Sequence, residues 1–342
     1  MHIVSSSIRS PQAPTRPPAN SPPVEQDPLA ADNFPFHFCS NSCDHVSQVP
    51  MDLPPEEAPR LDKPVLLVHG FNSGPEAWAN MRQWLVRGGD NKDGGVVRAN
   101  SNVDPQGRVF TMEFSRPFNP LSNNASELRQ AIDRIAAATG SPEVDVIGHS
   151  MGGLDTRLYL DQGDEKVSKL VMIGTPNHGS VLADLELTFR NMGIPIMPPT
   201  DDPLVRQALT DCSEVRGNNN PVLAQLNKNL PRQRERADML VIAGNGKPTL
   251  SSRYLVTMRG DGVVSRASAT LPEVPLRNLW GTGHGEVKDH PDALRIAAAF
   301  LTGRPLPESQ QEPPDVPPDR ELVPHKIVAD KDHIHYFTDK RV

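Results

Sequence analysis

The chain has 342 residues, with 35 basic and 42 acidic side chains, a net charge of −7, 36 prolines and three cysteines. That length holds one large domain or two small ones, and the absence of a lysine- or arginine-rich block argues against nucleic acid as the main partner. No apolar run approaches the roughly 20 residues that span a bilayer, and so few cysteines do not suggest a disulfide-built secreted scaffold.

The prolines cluster in residues 10–60 and 304–324. Such segments favour extended, solvated backbone and bury too little apolar area to offset the entropy of ordering. The expected organisation is therefore an extended or disordered arm over residues 1–60, an α/β body over 61–303, and a Pro-rich tail over 304–342. Both arms are candidates for linkers or for docking a protein partner. The segment Met1-His2-Ile3-Val4-Ser5 lacks a basic flank followed by an apolar run, so no Sec signal is expected. The expectation is a soluble chain, cytoplasmic or exported by a route without a cleavable signal. His37, Cys39, Cys43 and His45 put four potential zinc ligands within nine residues. A zinc finger or ribbon joins two separated ligand pairs, and this spacing does not. The reading here is no metal, with a local Cys39–Cys43 disulfide or plain thiols instead; His333 and His335 are a weaker metal hint.

Along the body, Pro64-Val65-Leu66-Leu67-Val68 reads as a central parallel strand buried on both faces. A loop, His69-Gly70-Phe71-Asn72-Ser73-Gly74, leads to a helix opening at Pro75, with Trp78, Met81, Trp84 and Leu85 as its apolar stripe. Arg108–Phe114 is a second strand. Ser122–Thr139 is a helix, with Leu128, Ile132 and Ile135 on one face and Gly140 closing it. Val144, Val146 and Ile147 mark a strand that runs straight into Gly148-His149-Ser150-Met151-Gly152-Gly153, and Leu154–Leu160 reads as a helix. Further strands are expected at Val167–Ile173, Met239–Ala243 and Leu276–Trp280, with a last helix over Pro291–Leu301. Between Ser180 and Arg236 lies an insertion. Its residues Val181, Leu182, Leu185, Phe189 and Met192, then Leu204, Val205, Ala208 and Leu209, then Val222, Leu223, Leu226 and Leu230, fall at helical spacing. Such stripes mark helices whose plainest role is to pack the insertion onto the body. Alternating strands and helices imply a mostly parallel sheet covered on both faces. Ligands bind such sheets beyond the strands' carboxyl ends, where loops 69–74, 148–153, 174–180, 260–262 and 281–285 would gather.

Strand, tight turn with serine at its apex, then helix is the geometry of a nucleophile elbow. Glycines two before and two after Ser150 let the turn close, and the Met151 N–H is left free at the helix N-terminus to meet an oxyanion. The bland alternative is a glycine-rich loop whose serine caps the helix. A serine hydroxyl needs a base, and the base needs a group to orient it. Of the histidines after Ser150, His325, His333 and His335 sit in the tail, His178 comes too early, and His290 precedes Pro291 as part of a helix start. His284, in a glycine-rich loop beyond the last strand, is favoured. Asp261, in Gly260-Asp261-Gly262-Val263-Val264, fits best as the acid, with Val263 and Val264 able to anchor it. Its alternative role is an Asp-Gly turn. Phe71 N–H is the second oxyanion donor, His69 holds its own loop, and His149 is a packed neighbour of the serine.

Together, Val68-His69-Gly70-Phe71, the 148–153 elbow, Gly174-Thr175-Pro176-Asn177-His178-Gly179-Ser180, Gly260–Val264 and Gly283-His284-Gly285 resemble the α/β-hydrolases, and among them bacterial lipases and carboxylesterases. The resemblance spans most of residues 64–285 and leaves out 1–60 and 304–342. It implies an α/β-hydrolase fold with a helical cap insertion over 180–236. It also implies a Ser150–Asp261–His284 triad, the Phe71 and Met151 amides as oxyanion hole, and hydrolysis of acyl esters or lipids, at a lipid–water interface in the lipase case. No organic cofactor is implied. Some lipases of this group bind structural calcium, but no aspartate cluster here is clear enough to assign one. An acyltransferase or thioesterase using the same triad, and a non-enzymatic binding protein, are the rival readings.

Overall fold

The computed structural model describes residues 53–163, 165–191, 203–213, 220–251, 256–310, 327–329 and 334–336. His37, Cys39, Cys43, His45 and His333 lie outside them, as does Met192. Of the tail, the described residues include one antiparallel pair, Ile327–Ala329 with Ile334–Tyr336. Among the described residues no helix is long and apolar enough to cross a membrane, and no group of three or more His, Cys, Asp or Glu is placed to hold a metal.

A seven-stranded sheet organises the body. Its strands are β1 (Val65–Val68), β2 (Asp93–Val97), β3 (Val109–Met112), β4 (Val144–His149), β5 (Val167–Ile173), β6 (Asp238–Asn245) and, after a hairpin described below, β9 (Leu276–Trp280). They lie in the order β2-β3-β1-β4-β5-β6-β9, and every neighbouring pair is parallel. Side chains leave a strand on alternate faces, and the core divides accordingly. Leu66, Val68, Phe110, Met112, Val146, Leu170, Met172 and Val241 face α2 (Leu121–Thr139) and α3 (Met151–Asp161), joining Leu128, Ile132, Ile135, Tyr159 and Leu160. Val65, Leu67, Val109, Ile147, Val171, Ile173, Leu240 and Ile242 face the other way. There they meet Trp78, Met81, Trp84 and Leu85, from α1 (Ala79–Gly88) and the turn before it, and Leu294, Ile296 and Ala297 of α9 (Pro291–Leu301). The unbroken apolar runs are thus strands buried on both sides. Gly140 closes α2 at φ 68°, where a Cβ would be strained.

Two elements differ from expectation. Edge strand β2 carries Gly94 and Gly95, which weaken strand propensity. A Cβ at Gly94 would stand 2.2 Å from the Phe110 ring, so the glycine makes room for a core side chain. The second element is the hairpin β7 (Lys247–Ser251) and β8 (Val256–Gly260), outside the main sheet, with α8 (Arg266–Ala269) following it. Packing also extends past residues 61 and 303. Leu53, Ala58 and Leu61 are buried in the α1 side of the core. Beyond α9, residues 307–310 line the open edge of β9: Asn278 N–H donates to Ser309 Oγ, Gln310 N–H to Asn278 O, and Trp280 N–H to Gln310 Oε1. A strand edge is thereby covered by extended, proline-containing chain.

The insertion holds α4 (Val181–Asn191), α5 (Pro203–Cys212), α6 (Pro221–Lys228) and α7 (Leu230–Arg236). Val205, Ala208, Leu209, Leu223, Leu226 and Leu230 are buried, and Leu230 joins the core on the α2–α3 side of the sheet. Beneath it, Arg157 of α3 is fully buried. Its Nε–H donates to Gln233 Oε1, Nη1–H to Asn177 Oδ1 and Nη2–H to Leu226 O, each at 3.0 Å. Burial pulls its pKa down to about 9, with Asp161 acting in the opposite sense.

Asp155, also on α3, is completely buried. Desolvation, with Asp211 and Glu127 nearby, holds its carboxyl well above the usual carboxylate range, while a hydrogen bond from Asn124 acts the other way. Asn124 Nδ2–H donates to Asp155 Oδ2 at 3.1 Å, yet Asp155 Oδ1 and Asn124 Oδ1 have no partner among the described residues. Burial of this kind favours the neutral carboxyl over the charged one. A raised folded pKa gives no penalty below the unfolded value and a growing penalty as pH rises toward the folded one. Asp155→Asn is therefore expected to melt above the wild type at pH 8 and to converge with it near pH 4. Thermal unfolding at both pH values checks this; parallel curves would count against a neutral Asp155.

Candidate active site

Ser150 follows β4 and caps α3 with φ 53° and ψ −125°, a strained conformation for a residue with a side chain. The elbow closes only because its neighbours are small. A Cβ at Gly148 would lie 2.6 Å from Gly153 N, and one at Gly152 would lie 2.4 Å from Val68 O. Ser150 N–H donates to Ile173 O, pinning the turn to the end of β5. Ser150 as a whole is only half-buried.

Three side chains meet here. Ser150 Oγ–H donates to His284 Nε2 at 3.0 Å, and His284 Nδ1–H donates to Asp261 Oδ2 at 2.8 Å. The Asp261 side chain is 1% exposed and that of His284 is 16% exposed. The other carboxylate oxygen, Oδ1, accepts from Val263 N–H at 2.9 Å and Val264 N–H at 2.7 Å. The acid is thus held by the two residues after its glycine, leaving Oδ2 for the imidazole. His284 N–H donates to Asp261 O, so acid and base are joined through backbone as well as side chain. Gly174 underlies the pair: a Cβ there would sit 3.3 Å from both Asp261 Oδ2 and His284 Nδ1.

Asp261 does not follow a strand of the main sheet. It sits at the end of hairpin β7–β8, where Gly262 N–H donates to Thr249 Oγ1. It reaches the site because Gly244 of β6 lacks a Cβ, which would otherwise stand 2.7 Å from that of Asp261. The remaining loops gather at the same edge. A Cβ at Gly70 would be 2.8 Å from Ser150 Cβ, and Asn72 N–H donates to Pro117 O. This places the 69–72 loop against the serine. Neither Phe71 N–H nor Met151 N–H donates to another group among the described residues, and the latter opens an 11-residue helix whose N-terminus favours negative charge.

The other histidines lie elsewhere. His69 donates through Nδ1–H to Gly70 O and packs edge-on against Phe114; burial lowers its pKa. His178 donates to Thr270 O and accepts from Asn227, while His290 accepts from Asp292 N–H as the cap of α9. His149 packs beside His284, and its contact with the His284 backbone carries no signal in sequence spacing.

Residues 40–192 match a family described as a domain of unknown function (DUF7379). Triacylglycerol lipases of Pseudarthrobacter phenanthrenivorans and Burkholderia plantarii are each 31% identical over 122 residues. The match covers 35% of this chain and 35% and 31% of those proteins, so the chain spans about a third of their length. The solved structure of the lin2722 gene product of Listeria innocua superposes with a TM-score of 0.51 at 19% identity, over 72% of this chain and 96% of that one. The parallel sheet, the strand–serine–helix elbow and the loops at one sheet edge constitute an α/β-hydrolase fold. In sequence the chain is similar, over that shared stretch, to bacterial triacylglycerol lipases.

Proposed function

We propose that this chain is a serine carboxylic-ester hydrolase acting on acyl esters, lipids among them, through an acyl-serine intermediate. The observation that carries this reading is the Ser150–His284–Asp261 chain of hydrogen bonds, at 3.0 and 2.8 Å. Ser150 Oγ attacks the ester carbonyl as His284 Nε2 takes its proton. Asp261 keeps the proton of His284 on Nδ1, leaving Nε2 free to accept, and stabilises the imidazolium that forms. The Phe71 and Met151 amides receive the oxyanion, and His284 then returns the proton to the departing alcohol. Water, activated by the same imidazole, releases the acid and restores the serine. The similarity to triacylglycerol lipases supports an acyl ester as substrate. In the same reading the 180–236 insertion acts as the cap over the acyl chain.

A fluorophosphonate probe tests this directly. One adduct, mapped to Ser150 by mass spectrometry, is expected, together with hydrolysis of p-nitrophenyl esters. A panel of increasing chain length, assayed below and above micellisation, separates lipase from esterase. No adduct and no hydrolysis on any ester would reject the proposal.

A further inference from the structure

His149, the last residue of β4, precedes Ser150 and has no part in the proton relay. Its Nε2–H donates to the backbone carbonyl of His284 at 2.9 Å. The two imidazoles pack with centroids 4.9 Å apart, tilted by 41°. Behind His149, the Trp78 ring stands at 90° with its centroid 6.4 Å away, and Trp78 is fully buried. The loop carrying His284 leaves β9 through Gly281, at φ 72°, whose N–H donates to Asn245 O, and turns at Gly283, whose carbonyl accepts from Glu286 N–H and Val287 N–H.

We infer that His149 is a positioning residue for the His284 base, holding that residue's carbonyl so that its imidazole stays aimed at Ser150. This rests on the proposed ester-hydrolase reading for its kinetic consequences, though the clamp itself is a matter of geometry. His284 is gripped at both ends of its residue, its N–H by Asp261 O and its C=O by His149. The second grip comes from the residue next to the nucleophile, so hydroxyl and base share one rigid strand end. Displacing a reacting group by about 1 Å costs on the order of 100-fold in rate.

A neutral His149 ring adds no positive charge beside His284 as that imidazole takes a proton. The groups that bear on His149 are consistent with this. Burial foremost, then His284 and Lys288, drive its pKa well below the ordinary imidazole range; the hydrogen bond to His284 O acts against them, and His69 adds a smaller push downward.

The test compares His149→Leu, which fills the space without a donor, with His149→Gln, whose carboxamide N–H can reach the same carbonyl. Steady-state kinetics and thermal unfolding are measured on both. The Nδ1–H proton of His284, read by proton NMR, provides a readout that needs no turnover. His149→Leu is expected to lose about 10- to 100-fold in kcat with KM within about twofold, and to broaden or lose the Nδ1–H resonance. His149→Gln is expected to recover most of both. Wild-type kcat and an unchanged resonance in His149→Leu would overturn the inference. So would equal losses in the two variants that track Tm, which would mean packing alone. If the wild type turns over no ester and takes no probe, the proposed function falls, while the Nδ1–H resonance still decides for or against the clamp.

Discussion

Ser150→Ala is expected to lower kcat for p-nitrophenyl esters by about 10,000-fold or more, equivalent to about 5.5 kcal/mol of lost transition-state stabilisation. In the proposed mechanism the substitution removes the atom that bonds to the substrate and leaves the base with no proton to take. Its structural cost is small. Ser150 is only partly buried, and its single side-chain hydrogen bond among the described residues is to His284. Alanine meets the same strained φ of 53° as serine does. Tm should therefore stay close to that of the wild type, and the fluorophosphonate adduct should vanish. Turnover at the wild-type rate in a verified Ser150→Ala sample would end the assignment, whatever the geometry of the other two residues.

The second large effect is on stability. Arg157→Leu leaves Gln233 Oε1 and Asn177 Oδ1 without their donor, in a region where both residues are 0% exposed. Leu226 O keeps a second donor, Gln233 Nε2–H at 2.8 Å, so the loss there is smaller. Stranding buried polar groups of this kind costs about 3–5 kcal/mol, which for a body of this size lowers Tm by roughly 10 °C. Arg157→Lys is not expected to rescue it, because one ammonium cannot reproduce a planar fork aimed at three separated oxygens. Circular-dichroism melting measures the shift. A Tm within about 2 °C of the wild type would mean that these three contacts are dispensable. Asn177 also donates to Ala269 O, in the α8 segment that follows the acid loop, so a local shift there should lower activity as well.

Strands buried on both faces were legible because their runs are apolar and end at glycine or proline. Val167–Ile173, Leu276–Trp280 and the helix Pro291–Leu301 fall where periodicity puts them. Strand β2 was not legible, since Gly94 and Gly95 suppress the signal and the reason for Gly94, space for Phe110, is a fact about another strand. Lys247-Pro248-Thr249-Leu250-Ser251 likewise carries neither an apolar run nor a clean alternation, so the hairpin that supports Asp261 went unseen. Ser150 is written in one contiguous motif, and His284 emerges by elimination among few histidines. The supporting roles of Arg157 and His149 are of another kind. Hydropathy assigns an arginine to the surface, and only the fold shows that three oxygens converge on it. The contact of His149 with His284 O spans 135 residues and involves a main-chain atom, which no side-chain pattern records.

The imidazole lies beyond β9, at the far border of the sheet from β2 and the last of its strands in the chain. On the proposed mechanism, a polypeptide leaving the ribosome therefore presents its alcohol long before its activator exists, and the two become neighbours only when that outermost strand docks. Chemical competence is a late event in such a sequence of assembly. In refolding, regained turnover would consequently time the closure of the final strand, trailing the optical signals that report helices and the inner sheet.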